Sequence, residues 1–200
     1  MRAPALLCLF LTTCNAIDVI LKIDHHAVRS IDTTKFLSFT LDTSFVRGNF
    51  CGINWLKAIL LARSLTPCYV RVGGDDSDFM IFEDSAHVRR SDALPDAPKP
   101  TPDANGCGMF ERDFFNMTRN QFDRINWFVQ AAGLKLMFDL NAVYERQNGT
   151  AWNPMNTVKL LNYAQEMEYA MDFELGNEPE DYPGWYNFTI NGKEMTSNYQ

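Results

Sequence analysis

Glu178 follows an apolar strand-like run, in the order Phe173-Glu174-Leu175-Gly176-Asn177-Glu178-Pro179. A carboxyl at the end of a buried strand, kept protonated, can hand a proton to the leaving oxygen of a glycosidic bond. In retaining glycosidases a second carboxylate about 5 Å away attacks the anomeric carbon. A neutral amide beside the acid, here Asn177, can hold a sugar hydroxyl by hydrogen bonds without adding charge. Glu178 is therefore the candidate general acid/base and Asn177 a candidate substrate-binding residue. An Asn-Glu-Pro triplet is weak by itself, because a glutamate at a strand end also suits a solvated turn or a pair with a basic residue.

Other chemistries find little footing. His25, His26 and His87 make no metal-ligand pattern with the cysteines. The acidic run Asp75-Asp76-Ser77-Asp78 lacks the spacing of an EF-hand loop. Val72-Gly73-Gly74 lacks the lysine of a phosphate loop. No metal and no cofactor is expected. The formal charge is −7, and a chain of that sign without a basic run repels polyanions as a whole, so nucleic acid is not an expected partner and an anionic substrate would need a local basic patch.

These residues need elements to hold them. Strand-like runs are read at residues 18–24, 36–41, 68–72, 134–140 and 171–175. Helical spacing appears at 55–64, 122–132 and 158–169, with Phe122, Ile125, Trp127, Phe128 and Val129 on one broad apolar side and Gly133 as a stop. Strand and helix alternating at this spacing predict βα units on a parallel sheet. Along the last strand, Phe173 and Leu175 face one way; Asp172, Glu174 and Gly176 face the other, and parity carries Glu178 with them. Strict alternation turns Asn177 away from Glu178, so the chain must bend there. Residues 84–107 hold a proline-rich stretch read as a surface loop or linker. From residue 36 onward four strands are placed, about half of an eight-stranded barrel, which runs to about 250 residues. The reading therefore expects the other half beyond Gln200.

Residues 1–16 read as a signal peptide, a short apolar run after Arg2 ending in small residues at Ala16. Its removal leaves 17 Lys+Arg against 25 Asp+Glu, a formal charge of −8. Secretion fits the N-glycosylation sequons at Asn116, Asn148 and Asn187. Cys51, Cys68 and Cys107 then remain, and one disulfide with one unpaired thiol is the simple outcome.

Taken together, several stretches resemble the heparanase-type glycoside hydrolases, endo-β-glucuronidases acting on heparan sulfate. They are FLSFTLDTSF, LARSLTPCYVRVGGDDSDFMIFE, GLKLMFDLNAVYERQNGTAWNP and LLNYAQEMEYAMDFELGNEP. They follow in the family's order and cover most of residues 17–200. The resemblance implies an α/β fold: a (β/α)8 barrel, here its first four βα units over residues 36–200. An accessory β-sandwich would take a strand from residues 17–35. It implies retaining hydrolysis with Glu178 as proton donor, Asn177 as the adjacent amide, and Asp42, Asp75 and Asn141 lining the same cleft. Asp75 stands where the family usually has Thr. The family's nucleophilic glutamate lies on a later strand, outside this chain. Its lysine-rich stretch corresponds to ERDFFNMTRNQFDR, where Glu111, Asp113 and Asp123 offset Arg112, Arg119 and Arg124. Weaker affinity for highly sulfated chains is expected. The implied partner is a heparan sulfate-like glycosaminoglycan, with membrane or matrix association running through such glycans, and the implied location is extracellular or lysosomal. Two alternatives stay open: an inactive, truncated carbohydrate-binding product, and an exo-acting β-glucuronidase with a less basic cleft.

Overall fold

A computed structural model of the chain describes residues 36–84, 113–144, 146 and 151–198. All lie in one compact unit spanning residues 32–200. The expected signal peptide, the strand at 18–24, the three histidines, Asn148 and nearly all of the proline-rich stretch fall outside the described residues.

Four parallel strands form the central sheet: β1 (Ser38–Asp42), β2 (Tyr69–Gly73), β5 (Lys135–Leu140) and β6 (Met171–Leu175), adjacent in that order. These are the four strands expected after residue 36. Their register aligns Thr40 with Arg71, Arg71 with Met137, and Asp139 with Glu174. One face of the sheet is therefore polar, carrying Thr40, Asp42, Arg71, Asp139, Asp172 and Glu174. The opposite face carries Val70, Val72, Leu136, Phe138 and Leu175, all buried. The helices cover that apolar side: α2 (Trp55–Arg63), α3 (Arg119–Ala132) and α4 (Met155–Glu166). Burial of these side chains, at roughly 1.5–3 kcal/mol each, is what binds helix to sheet. An aromatic group of Phe82, Phe122, Phe138 and Tyr163 fills the space between, with Phe122 and Phe138 edge-on at 5.3 Å. The arrangement is an α/β fold with a parallel sheet, consistent with part of a βα barrel.

Two strands escaped the sequence reading. β3 (Met80–Glu83) and β4 (Phe115–Thr118) pair in parallel as a separate two-stranded sheet. Each has only four residues, too few for periodicity to register. Helix α4 begins three residues before the expected start, directly after Pro154, and ends before Glu168, whose φ is +55°. Trp127, placed by spacing on the apolar side of α3, is half exposed and stands edge-on to Trp55 at 5.9 Å. The remaining elements are short: α1 (Ser44–Arg47), α5 (Tyr182–Tyr186) and α6 (Gly192–Asn198). Cys51 is disulfide-bonded and Cys68 is a buried free thiol.

The start of α3 is locked by a capping box. Thr118 Oγ1 accepts from the Gln121 N–H at 3.3 Å, and Gln121 Oε1 accepts from the Thr118 N–H at 2.8 Å. Gly133, at φ +71°, ends the helix as expected. In protein made without N-glycans, since Thr118 also completes the Asn116 sequon, replacing Thr118 with alanine is expected to cost about 1 kcal/mol, read as a lower midpoint in urea, while serine restores most of it. An unchanged midpoint for the alanine variant would show that the cap contributes nothing to α3.

Candidate active site

Every candidate residue sits at or just past the C-terminal end of a sheet strand. Asp42 closes β1, Asp75 follows β2 by two residues, Asn141 follows β5 by one, and Asn177 and Glu178 follow β6. The expected bend after β6 is present. Gly176 has φ +76° and Glu178 has φ +45° and ψ +61°, so two left-handed residues flank Asn177. Pro179 then opens a 3-10 turn, Pro179–Asp181. This corner turns both Asn177 and Glu178 toward one open cleft. Asp75, Asn177, Glu178 and Asp181 form its polar lining; Phe79 and Trp185 form an aromatic side. Glu178 itself is exposed.

A buried carboxylate ties the corner down. Asp78, 1% exposed, lies in the 3-10 turn Asp75–Phe79 after β2. Its Oδ1 accepts from the Ala142 N–H at 3.1 Å; its Oδ2 accepts from the Asn177 N–H and the Tyr182 hydroxyl, both at 3.0 Å. One side chain thus joins the loops after β2, β5 and β6 to α5. Burial pushes its carboxyl up to about 6, against the pull of these three donors and of Arg146. The Tyr182 phenol is pushed well above its usual range by burial and by the neighbouring Asp78 charge.

Arg71 does the corresponding work from the floor. Its Nε donates to Glu174 Oε1, and its Nη2 reaches Asp139 Oδ2 at 3.3 Å and Asn177 Oδ1 at 3.1 Å. The Asn177 amide donates its Nδ2 to Asp75 Oδ1 at 3.1 Å. The amide is therefore oriented from both sides, with its oxygen on a cation and its nitrogen on a carboxylate, which fixes which way it faces.

Among the expected binding residues, the structure brings Asn177 and Asp75 into direct contact. Asp42 accepts from the Ser44 N–H at 2.8 Å and closes the turn after β1; its other oxygen lies so near Gly74 that a Cβ there would meet it at 2.7 Å. Asn141 is turned inward. Its oxygen accepts from the N–H groups of Val143 and Tyr144, both at 2.8 Å, and its Nδ2 donates to the Met80 carbonyl at 2.8 Å. These bonds shape the rim loop. Asn116 on β4 and Asn187 after α5 are both exposed. No cluster of three metal-ligating side chains occurs among the described residues.

Sequence reading passed over Arg71, Asp78, Asp139 and Tyr182 as site residues. Two of them had a signal. Arginine inside Tyr69-Val70-Arg71-Val72 and aspartate inside Met137-Phe138-Asp139-Leu140 each break a strand core, and a charge in a buried strand needs a partner.

Residues 42–182 match the family described as glycosyl hydrolase family 79, N-terminal domain. The chain is 28% identical to heparanase of Bos taurus over 194 residues, which is 82% of this chain and 35% of that protein. It is 25% identical over 215 residues to inactive heparanase-2 of Homo sapiens, 86% of this chain and 36% of that protein. It is 28% identical over 151 residues to hyaluronoglucuronidase of Hirudo nipponia, 70% of this chain and 30% of that protein. The chain spans about a third of the length of these relatives.

Proposed function

The chain belongs to glycosyl hydrolase family 79 through the family's N-terminal domain, and from that premise we propose that it supplies the acid/base half of a retaining glycosidase acting on a glycosaminoglycan. Glu178 gives its proton to the leaving oxygen and later takes one from the attacking water. Asn177 holds a sugar hydroxyl beside it, with Asp75 and Asp42 along the rim and Asn141 keeping the third loop in place. The nucleophilic carboxylate comes from a later strand of a (β/α)8 barrel, and an accessory sandwich takes the strand at 18–24. The observation that carries this reading is the left-handed corner at Gly176–Glu178, which presents Glu178 and Asn177 to one cleft at the strand ends.

Heparan sulfate-like chains are the proposed substrate, in keeping with relatives named heparanase and hyaluronoglucuronidase. Entry through a signal peptide places the protein outside the cell or in lysosomes, with glycans on Asn116, Asn148 and Asn187. The exposure of Asn116 and Asn187 suits that modification. Among the described residues no helix is long and apolar enough to cross a membrane, and association with membrane or matrix would run through the glycan substrate. A second reading, a carbohydrate-binding product without turnover, is favoured by the relative whose name says inactive.

The test is incubation of the full-length protein with heparan sulfate and hyaluronan, followed by sizing of the products. Internal cleavage into fragments of intermediate length is expected from at least one polymer. Release of single terminal glucuronic acid residues would replace this reading with the exo-acting one. Retention of the polymer without any cleavage would replace it with the binding product.

A further inference from the structure

Ser77 has one hydroxyl proton and two close acceptors. Its Oγ lies 2.6 Å from the Gly74 carbonyl oxygen and 2.5 Å from Asp139 Oδ2. Both distances are those of hydrogen bonds, and the carbonyl cannot donate. Ser77 must therefore give its proton to Gly74 and receive one from Asp139. The other oxygen of Asp139 agrees. Oδ1 is buried and has no hydrogen-bond partner, a position far costlier for a carboxylate than for the carbonyl of an acid. Arg71 Nη2 lies 3.3 Å from the same Oδ2 and by itself favours the ionised form, but this single guanidinium is shared with Glu174, which its Nε contacts more closely. If one of these two carboxyls is neutral, Arg71 and Glu174 form a balanced pair.

We infer that Asp139 is a neutral carboxylic acid that donates to Ser77, and that it is a positioning residue which leaves Arg71 to Glu174 and the Asn177 amide. Ionised, it would compete for the same cation and release Asn177. The groups facing it are Arg71 from β2, Ser77 and Asp78 from the turn after β2, Glu174 from β6 and Tyr182 from α5. Burial is the main cause that pushes its carboxyl up to about 7; a hydrogen bond given by Ser77 would oppose this, the charges of Asp78 and Glu174 add to it, and Arg71 opposes it. The sign for stability follows. The folded chain holds this proton between about pH 4 and 7 where an unfolded one has released it, so its contribution is full below about 4 and fades as pH rises through 7.

Carbon-13 NMR of the aspartate side-chain carboxyls in the full chain tests the assignment, with Asp139 identified by its loss in Asp139→Asn. Its signal is expected to keep the protonated shift at pH 5.5, where an ordinary aspartate is almost wholly ionised, and to titrate near 7. A midpoint at or below about 4.5 overturns the inference. Ser77→Ala gives a second reading of opposite sign for the two cases. If Asp139 donates to Ser77, losing that acceptor moves the midpoint down; an upward move means that Ser77 was donating to a carboxylate, and the inference fails. The fall of Tm from pH 5 to 8 should also be shallower in Asp139→Asn than in the wild type, and equal slopes count against it. Turnover gives a further arm that rests on the proposed role of Glu178: Asp139→Asn flattens the alkaline fall of kcat/KM. Should the protein prove inactive at every pH, the glycosidase reading fails and the NMR result still decides the proton.

Discussion

Glu178→Gln in the full-length protein is expected to lower kcat/KM about a hundred- to ten-thousand-fold on the natural polymer, the usual contribution of a positioned general acid. Gln keeps the size of the side chain and removes the proton that the leaving sugar oxygen needs. An aryl glycoside with an acidic phenol as leaving group departs without that proton, so the same variant should lose far less on it. The contrast between the two substrates is the informative quantity. Equal losses on both would remove Glu178 from the acid role and leave it a binding residue. Folding does not confuse the outcome. The side chain is exposed at the cleft, and its residue holds the corner through its backbone, whose carbonyl accepts from the Asp181 N–H at 2.9 Å. Thermal unfolding of the variant should match the wild type.

The family's inactive relative makes this experiment more than a formality. A glutamate in the right corner is compatible with binding alone, and what converts it to an acid is the second carboxylate. Three carboxyls around the corner are engaged in structure. Asp78 accepts three donors, Asp139 is buried against Ser77, and Glu174 is bound to Arg71. These three are committed to holding the corner, and the proposal takes its nucleophile from a later strand, as the family resemblance implies.

Much of the frame was legible because its signals are local. Apolar runs of five to seven residues gave the four sheet strands, three of them flanked by glycine or proline, and Gly133 gave the end of α3. Parity held within β6, where Glu174 shares a face with Asp139 and both meet Arg71; past Leu175 the left-handed corner ends the alternation and brings Asn177 to the same arginine. What escaped was the non-local part. Asp78 looks like one acid in a solvated acidic turn until folding carries Ala142, Asn177 and Tyr182 to it, across sequence gaps of 64, 99 and 104 positions. Asn141 sits where a binding residue should be, yet its amide answers two N–H groups of its own loop, and nothing in the order of residues distinguishes those two uses. The paired strands β3 and β4 were missed for a related reason: neither is long enough to show a period, and each exists through the other.

Gly176→Ala should be the most damaging small substitution in the corner. Two costs combine. The residue has φ +76°, a region that a side chain with a Cβ enters at a cost of roughly 1–2 kcal/mol. A Cβ there would also lie 2.3 Å from the Tyr182 hydroxyl oxygen and 2.7 Å from the Ala142 Cβ. Ala142 has no rotamer to change and is held by Asp78, so relief has to come from Tyr182. Moving that ring breaks its bond to Asp78 and disturbs its packing against Tyr186 and Phe188, at 5.4 Å each. A total loss of about 3 kcal/mol or more is expected, read from urea unfolding of the full chain. Gly184→Ala supplies the control, since a Cβ at that position meets nothing within 4 Å; its effect should stay within about 0.5 kcal/mol. If the two variants unfold at the same urea concentration, the tight contact of β6, the β5 loop and α5 around Gly176 does not exist in solution. In that event Glu178, two residues further on, loses the support on which its placement in the cleft depends.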